Sequence, residues 1–175
     1  MSLRTTCLAL LPLLLATAAD GQGEVTKPQS QKELFGLDRI WDVHIDVPYN
    51  GWTSMHPESK RKIDYGAGFP YAKARVRIAG HDELTVGLRF KGNSTYWKMP
   101  RKNLKRPFKL DFDRHKKGQT FLGLKKLNLN NNYYDQTQLR EALSCTAYRE
   151  GSVPAARTAF ARVFELVAKR RGGVE

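Results

Sequence analysis

The chain of 175 residues has little cysteine, few acidic residues and no long apolar stretch. One of its two cysteines, Cys7, lies in a segment typical of an export signal, in which Arg4 precedes an uncharged apolar run at 7–15 and small residues follow. We expect a signal peptide at 1–19. The mature chain then keeps only Cys145, which excludes an internal disulfide, and we interpret this thiol as a small buried hydrophobe within a helix.

No apolar run approaches the roughly 20 residues that a membrane-spanning helix requires. The sequence therefore predicts no membrane span and, because of the signal, a secreted or extracytoplasmic protein. Acidic residues number 17 against 30 lysines and arginines, which gives a net charge of +13. This balance favours anionic partners such as phosphates or acidic envelope polymers. Because the protein is expected to be exported, nucleic acid is the least favoured anionic partner, and we expect no nucleic-acid binding.

The composition predicts one domain with flanking segments. Residues 20–33 are rich in Gly, Gln and Ser with little apolar content, which indicates a flexible leader. Residues 34–165 carry the periodic patterns of a folded lobe, and residues 166–175 form a short basic tail.

Period-two alternation of apolar and polar residues predicts several strands. They lie at 41–47, 72–78, 84–90, 108–112, 127–129 and 158–163. Asp135 is a favourable N-cap with Gln138 three residues later, and Gly151 is a favourable stop, so one main helix is expected between them. Its predicted apolar stripe consists of Leu139, Ala142, Leu143 and Ala147. We expect an α+β fold with an antiparallel sheet of about five strands.

A basic turn that contains glycine follows the strand at 84–90. Such a turn presents backbone N–H groups and cationic side chains to an anion, as a phosphate-binding loop does. Its residues are Arg89, Lys91, Gly92, Asn93 and Ser94.

Lys109 on the next strand and Glu141 on the predicted helix complete a second pattern. A strand lysine paired with a helix glutamate beneath a glycine turn holds nucleotide phosphates in the small lobe of protein kinases. From the pattern alone, a solvated strand lysine and a surface glutamate are the competing interpretation.

Several spaced motifs in a fixed order give this pattern a more specific context. They are VGLRFKGNS at 86–94, KRPFK at 105–109, FLGLKKLNLNN at 121–131 and LREAL at 139–143. Together they resemble the CotH family of secreted atypical kinases, named for a spore-coat protein, from about residue 35 to residue 164. The resemblance implies a protein-kinase-like small lobe, ATP as phosphate donor, a divalent cation (Mg²⁺ or Mn²⁺), and extracytoplasmic protein substrates such as spore-coat components.

The resemblance also assigns roles by position. The basic turn at 89–94 faces the nucleotide phosphates, while Lys109 contacts them and is positioned by Glu141. Lys105 competes with Lys109 for this role, and the alternation around Phe108 favours Lys109. These expectations give catalytic residues Lys109 and Glu141, and cofactor-binding residues Arg89, Lys91, Gly92, Asn93, Ser94 and Lys105.

The chain departs from the family pattern after residue 164. Phosphoryl transfer needs a catalytic aspartate and an Asp/Asn set for the metal, and residues 166–175 contain no Asp, Asn or His. We therefore expect no metal ligands here and an N-terminal fragment, inactive alone, from a truncated or frame-shifted gene whose second lobe is missing. Whether this chain is itself an enzyme stays open.

Two other interpretations stay open. One is a secreted basic binding module for acidic envelope or spore polymers, and the other is an unstable fragment without function. The face proposed for the binding module consists of Lys73, Arg75, Arg77, Lys116 and Lys117.

Overall fold

The computed structural model describes residues 27–57, 68–92, 94–100, 103 and 105–168. The predicted signal peptide, most of the predicted leader, Asn93, the side chain of Ser94 and residues 169–175 lie outside this part.

Six strands form one sheet. They are β1 (Ile40–Pro48), β2 (Ala72–Ile78), β3 (Leu84–Phe90), β4 (Phe108–Asp111), β5 (Lys126–Leu129) and β6 (Phe160–Ala168). Their order across the sheet is β5-β4-β3-β2-β1-β6.

Four helices accompany the sheet within the described residues. They are α1 (Gln31–Leu34), α2 (Tyr49–Ser54), α3 (Ser94–Trp97) and α4 (Arg140–Glu150). The 11 residues of α4 make it the one main helix, as predicted, and Cys145 lies in it half-buried. The α+β class is confirmed. None of the described helices combines the length and apolarity needed to cross a membrane.

The prediction of a purely antiparallel, roughly five-stranded sheet is wrong. The pairs from β1–β2 to β4–β5 are antiparallel, but β6 pairs in parallel with β1 along its whole length, for example Val43 with Val163. After α4 the chain crosses from the β5 edge of the sheet to the β1 edge and runs there in the direction of β1. Alternation along a single strand carries no information about this choice of partner.

The two faces of the sheet differ in polarity. Apolar side chains alternate into the core, where Phe90, Phe108, Leu88, Leu110 and Ile45 are almost completely buried. The opposite side, which we call the polar face, carries the intervening residues. They include Asp42, His44 and Asp46 on β1, Lys73, Arg75 and Arg77 on β2, Thr85, Gly87 and Arg89 on β3, and Lys109 and Asp111 on β4.

The end of the predicted leader is folded, unlike the expectation for 20–33. Ser30 caps α1 by accepting a hydrogen bond from the backbone N–H of Glu33. Gln31 donates from Nε2 to the carbonyl of Leu122 at 2.8 Å, and Pro28 is fully buried. These long-range contacts order a segment whose own composition favours disorder.

The start of α4 also differs from the prediction. Asp135 does not cap the helix directly: its carboxylate accepts from the N–H groups of Thr137 at 3.0 Å and Arg140 at 2.8 Å, which closes a turn before the helix. Gln138 has φ +61° and therefore cannot be helical. Of the predicted apolar stripe, Ala142 is buried, whereas Leu139 and Leu143 are exposed.

Candidate functional site

The basic turn and the lysine strand are adjacent. Arg89 and Lys109 are cross-strand partners on β3 and β4, and both belong to the polar face. The backbone N–H of Lys91 donates to the carbonyl of Pro107 at 3.0 Å, which extends the pairing beyond the end of β3. The sheet therefore places three cations of the predicted site in one region.

Asn130 links Lys91 to Glu141. The ammonium of Lys91 donates to Oδ1 of Asn130 at 2.6 Å, and Nδ2 of Asn130 donates to both carboxylate oxygens of Glu141 at 2.5 and 2.7 Å. An amide suits this place because it accepts at one end and donates at the other. Asn130 directly follows β5 and Glu141 lies in the first turn of α4, so the link joins two elements of the site.

The pKa of Lys91 reports the local electrostatics. Burial lowers this pKa below the usual value, and the positive charges of Lys109 and Arg89 lower it further, while Glu141 opposes both effects. The charged form of Lys91 is thus disfavoured among cations that crowd it. A bound anion would instead favour the charged form of Lys91.

Gly92 fits the requirements of the turn. Its φ of +77° is unfavourable for any other residue, and a Cβ at this position would lie 2.5 Å from Oγ1 of Thr95. The chain therefore closes tightly around the Thr95 hydroxyl beside the cations. Asn93 lies outside the described residues, and nothing is described of the Ser94 side chain.

The two lysines that competed for the nucleotide role lie in different places. Lys109 shares the polar face with Arg89, although among the described residues it forms no hydrogen bond with Glu141. Lys105 is exposed, and its carbonyl accepts from Nδ2 of Asn131 at 3.1 Å. The lysine that the structure connects to Glu141 is Lys91, a member of the turn.

Two cavities lie where the sheet curls and its edge strands approach each other. The larger, about 720 Å³, is bounded by β5, α4 and β6, and Asn130 and Glu141 form part of its wall among apolar side chains such as Trp41 and Leu129. The smaller, about 390 Å³, is lined by Lys105, Arg106, Asn130 and Glu165, among others. Asn130 borders both cavities.

Sequence reasoning missed two charged residues next to the site. Arg106 is 4% exposed, donates to the carbonyls of Tyr96 at 3.2 Å and Pro100 at 2.6 Å, and holds its guanidinium carbon 4.6 Å from the Tyr96 ring centre. Glu165 faces the core side of β6, where burial raises its pKa to about 7 against the opposing charge of Arg106. The signal for Asn130 in the sequence is the run of asparagines around it, which by itself indicates only the end of a strand.

The site suits phosphate groups better than a metal ion. The cations at positions 89, 91 and 109 and the glycine turn are typical of phosphate binding. In the part of the chain that the structure describes, no three His, Cys, Asp or Glu side chains group as metal ligands do. We therefore derive no step that involves a metal.

Comparison with known proteins adds one match. Neither the curated proteins nor the solved structures give one for this chain. The family model described as CotH kinase protein matches residues 88–165, which contain the basic turn, Lys105, Lys109, Asn130 and Glu141. Residues 88–165 thus resemble part of the CotH kinase family.

Proposed function

We propose that this chain binds the phosphates of ATP, as the nucleotide-binding small lobe of a secreted CotH-type phosphotransferase that acts on extracytoplasmic, spore-coat-like proteins. The observation that carries the proposal is the hydrogen-bonded series Lys91–Asn130–Glu141 beside Lys109. It lies within the segment that matches the kinase family.

The residues divide the work of binding as follows. Glu141 holds Asn130, and Asn130 in turn fixes the ammonium of Lys91, so that this long side chain is ordered before a ligand arrives. Lys109 and Arg89 add charge from the adjacent strands. In the bound state, ATP supplies the phosphoryl group for transfer, and a divalent cation is expected for the family.

The roles of the two lysines in this proposal differ from the prediction from the sequence. The sequence predicts that Glu141 positions Lys109 and that Lys91 is one member of the turn. We now propose Lys91 as the positioned lysine and Lys109 as a second phosphate contact. Lys105 borders the smaller cavity and has no such link among the described residues.

The binding module for acidic polymers has less support. Arg75 pairs with Asp46 and with Glu83 at 3.6 Å, and Lys117 pairs with Asp113 at 3.3 Å. These ion pairs reduce the positive charge of the proposed face. No observation on that face favours a polymer over ATP.

ATP titration of the purified chain tests the proposal. We expect Lys91→Ala and Asn130→Ala each to weaken ATP binding about tenfold, because a charge-assisted hydrogen bond contributes roughly 1.5–3 kcal/mol and this site is partly solvated. Asn130→Ala is informative because it removes no charge.

The matched control is Lys116→Ala, which removes a charge from an exposed loop. Isothermal titration at constant ionic strength gives the dissociation constants, and circular dichroism verifies the fold of each variant. Equal weakening by Lys116→Ala and Lys91→Ala would show that only net charge matters, and the proposed site would then be wrong.

A further inference from the structure

The outer edge of β6 is open. This strand ends the strand order, and in the part of the chain that the structure describes it pairs with β1 and with no other strand. The pairing runs over all nine residues from Phe160 to Ala168, so a row of backbone N–H and C=O groups of the same length faces away from the sheet. Residues 161–164 are all exposed, which shows that α4 does not cover this strand.

The apolar core of the sheet stops at β1. Trp41 and Val43 on β1 are 3% and 2% exposed, whereas their partners on the same side of β6, Ala161 and Val163, are exposed. Ala161 and Val163 line both the larger and the smaller cavity. A further strand beside β6 would place its alternate side chains next to these two residues and would cover them.

Natural sheet edges usually carry features that prevent pairing with other chains, and β6 has few of them. It contains no proline or glycine, and its one cation, Arg162, is held by the carboxylate of Asp42 through bonds of 2.8 and 3.1 Å. The ring of Phe164 stacks on that of His44 at 4.7 Å, so β6 is held firmly against β1. The opposite edge strand, β5, has only four residues.

Cations predominate around this edge. The charged side chains that line the two cavities are the cations Lys105, Arg106, Lys126, Arg157 and Arg162 and the acids Glu141 and Glu165. Arg162 and Lys126 already pair with aspartates, and Glu141 accepts from Asn130. Arg157 precedes β6, and Lys105 lines the smaller cavity together with Glu165, so positive charge lies towards both ends of the open edge. This distribution favours an acidic partner.

We propose that the outer edge of β6 binds an extended acidic peptide, which adds one strand to the sheet. Backbone hydrogen bonds to β6 supply the affinity, as in other complexes in which a peptide extends a sheet. Alternate apolar side chains of the peptide enter the two cavities beside Ala161 and Val163. Acidic residues at the ends of the peptide lie near Arg157 and Lys105.

The test titrates the isotope-labelled full chain, at constant ionic strength, with a synthetic peptide that matches β6 in length and has blocked ends. Valine and threonine alternate in this peptide, and glutamate occupies both ends. Amide hydrogen exchange followed by NMR reports on each residue of β6. We expect the β6 amides that point away from β1 to exchange at least about tenfold more slowly at saturation, because they then donate to the peptide.

The inference does not rest on ATP binding. Asn130 and Glu141 belong to the proposed ATP site and also line the cavities, so the test contains no nucleotide and changes neither residue.

Two altered peptides separate strand pairing from charge attraction. N-methylation of the three central residues removes backbone donors and keeps the charge, whereas replacement of both glutamates by lysine reverses the charge. Each change should weaken binding about fivefold or more, which corresponds to about 1 kcal/mol. Equal binding of the unmodified peptide and of either altered peptide would overturn the proposal.

A matched pair of protein variants tests the position of the peptide. Ala161→Leu places a larger side chain where both cavities meet β6 and should weaken binding about fivefold. Ala147→Leu, the same substitution at an exposed position of α4 that lines neither cavity, should change binding less than about twofold. Equal effects of the two substitutions would contradict the proposed position. The altered peptides keep the proposal falsifiable if Ala161→Leu fails to fold.

Other occupants of the edge would give different exchange data. Slow exchange at the β6 edge that develops as the chain alone is concentrated would identify a second copy as the partner. Slow exchange in the dilute chain before any peptide is added would identify a segment of the chain itself. Either result would overturn the proposal of a separate acidic peptide.

Discussion

Glu165 should make the stability of the protein depend on pH in a way that Glu165→Gln removes. The residue pairs with Ile45 in the β1–β6 register and therefore lies on the core side of the sheet. Its Oε2 is buried and has no hydrogen-bond partner in the described structure. Burial raises the pKa of this carboxyl from 4.5 to about 7, and the nearby charge of Arg106 opposes the rise.

The sign follows from which state binds the proton more tightly. The folded state holds the proton up to about pH 7, whereas the unfolded chain releases it near pH 4.5. The stabilising effect of the protonated form is therefore complete below pH 4.5, decreases as pH rises, and is lost above about pH 7. The full pKa difference corresponds to an upper bound of about 3 kcal/mol. Because the side chain is only half-buried, screening by water reduces the expected effect to about 1–2 kcal/mol.

Urea unfolding of the unmodified chain and of Glu165→Gln at pH 5 and pH 8 measures this effect. Glutamine has nearly the same shape and carries no charge, so other titrating groups cancel in the difference between the two proteins. The measured quantity is the free energy of unfolding of Glu165→Gln minus that of the unmodified chain. We expect this difference to be about 1–2 kcal/mol larger at pH 8 than at pH 5. A stability difference that is the same at both pH values would refute the reasoning.

Two other substitutions test the surroundings of the site. Gly92→Ala forces a Cβ into a residue with φ +77° and against the Thr95 hydroxyl, so thermal unfolding should show a loss of about 1–2 kcal/mol and ATP titration should show weaker binding. Unchanged stability would contradict the tight turn. Arg106→Gln removes a buried guanidinium from the carbonyls of Tyr96 and Pro100 and should cost about 2–4 kcal/mol in urea unfolding, because the two carbonyls lose a charged donor. A loss below about 0.5 kcal/mol, the range of ordinary surface changes, would contradict that role.

Local pattern predicted the central part of the fold well. The hairpin of β2 and β3 appears at the predicted residues, because strict alternation specifies which side chains are buried and so fixes the register. The end of β5 before Asn130 also agrees with the prediction. The helix start was wrong because Asp135 has two local ways to satisfy its carboxylate, and the sequence does not show which one is used.

The structure brings several of the predicted site residues together, through connections that the sequence did not indicate. The turn, Lys109 and Glu141 lie in one region, and Asn130 links Glu141 to Lys91, whereas the prediction paired Glu141 with Lys109. Asparagine side chains in such runs typically form hydrogen bonds with the nearby backbone. The sequence therefore gives no reason to expect that Asn130 links Lys91 to Glu141. A bridge of this kind depends on where β5 ends relative to α4, which is a three-dimensional distance.

The curl of the sheet explains why the remaining features escaped prediction. β5 and β6 stand at opposite ends of the strand order, yet both line the larger cavity, and α4 closes the gap between them. Glu165 and Lys105, 60 residues apart in the chain, border the smaller cavity for the same reason. The parallel pairing of β6 with β1 turns Glu165 towards the core side, and a slip of one residue would expose it. The raised pKa of Glu165 therefore depends on the β6 register, so the pH dependence of stability also tests the one pairing that the sequence did not predict.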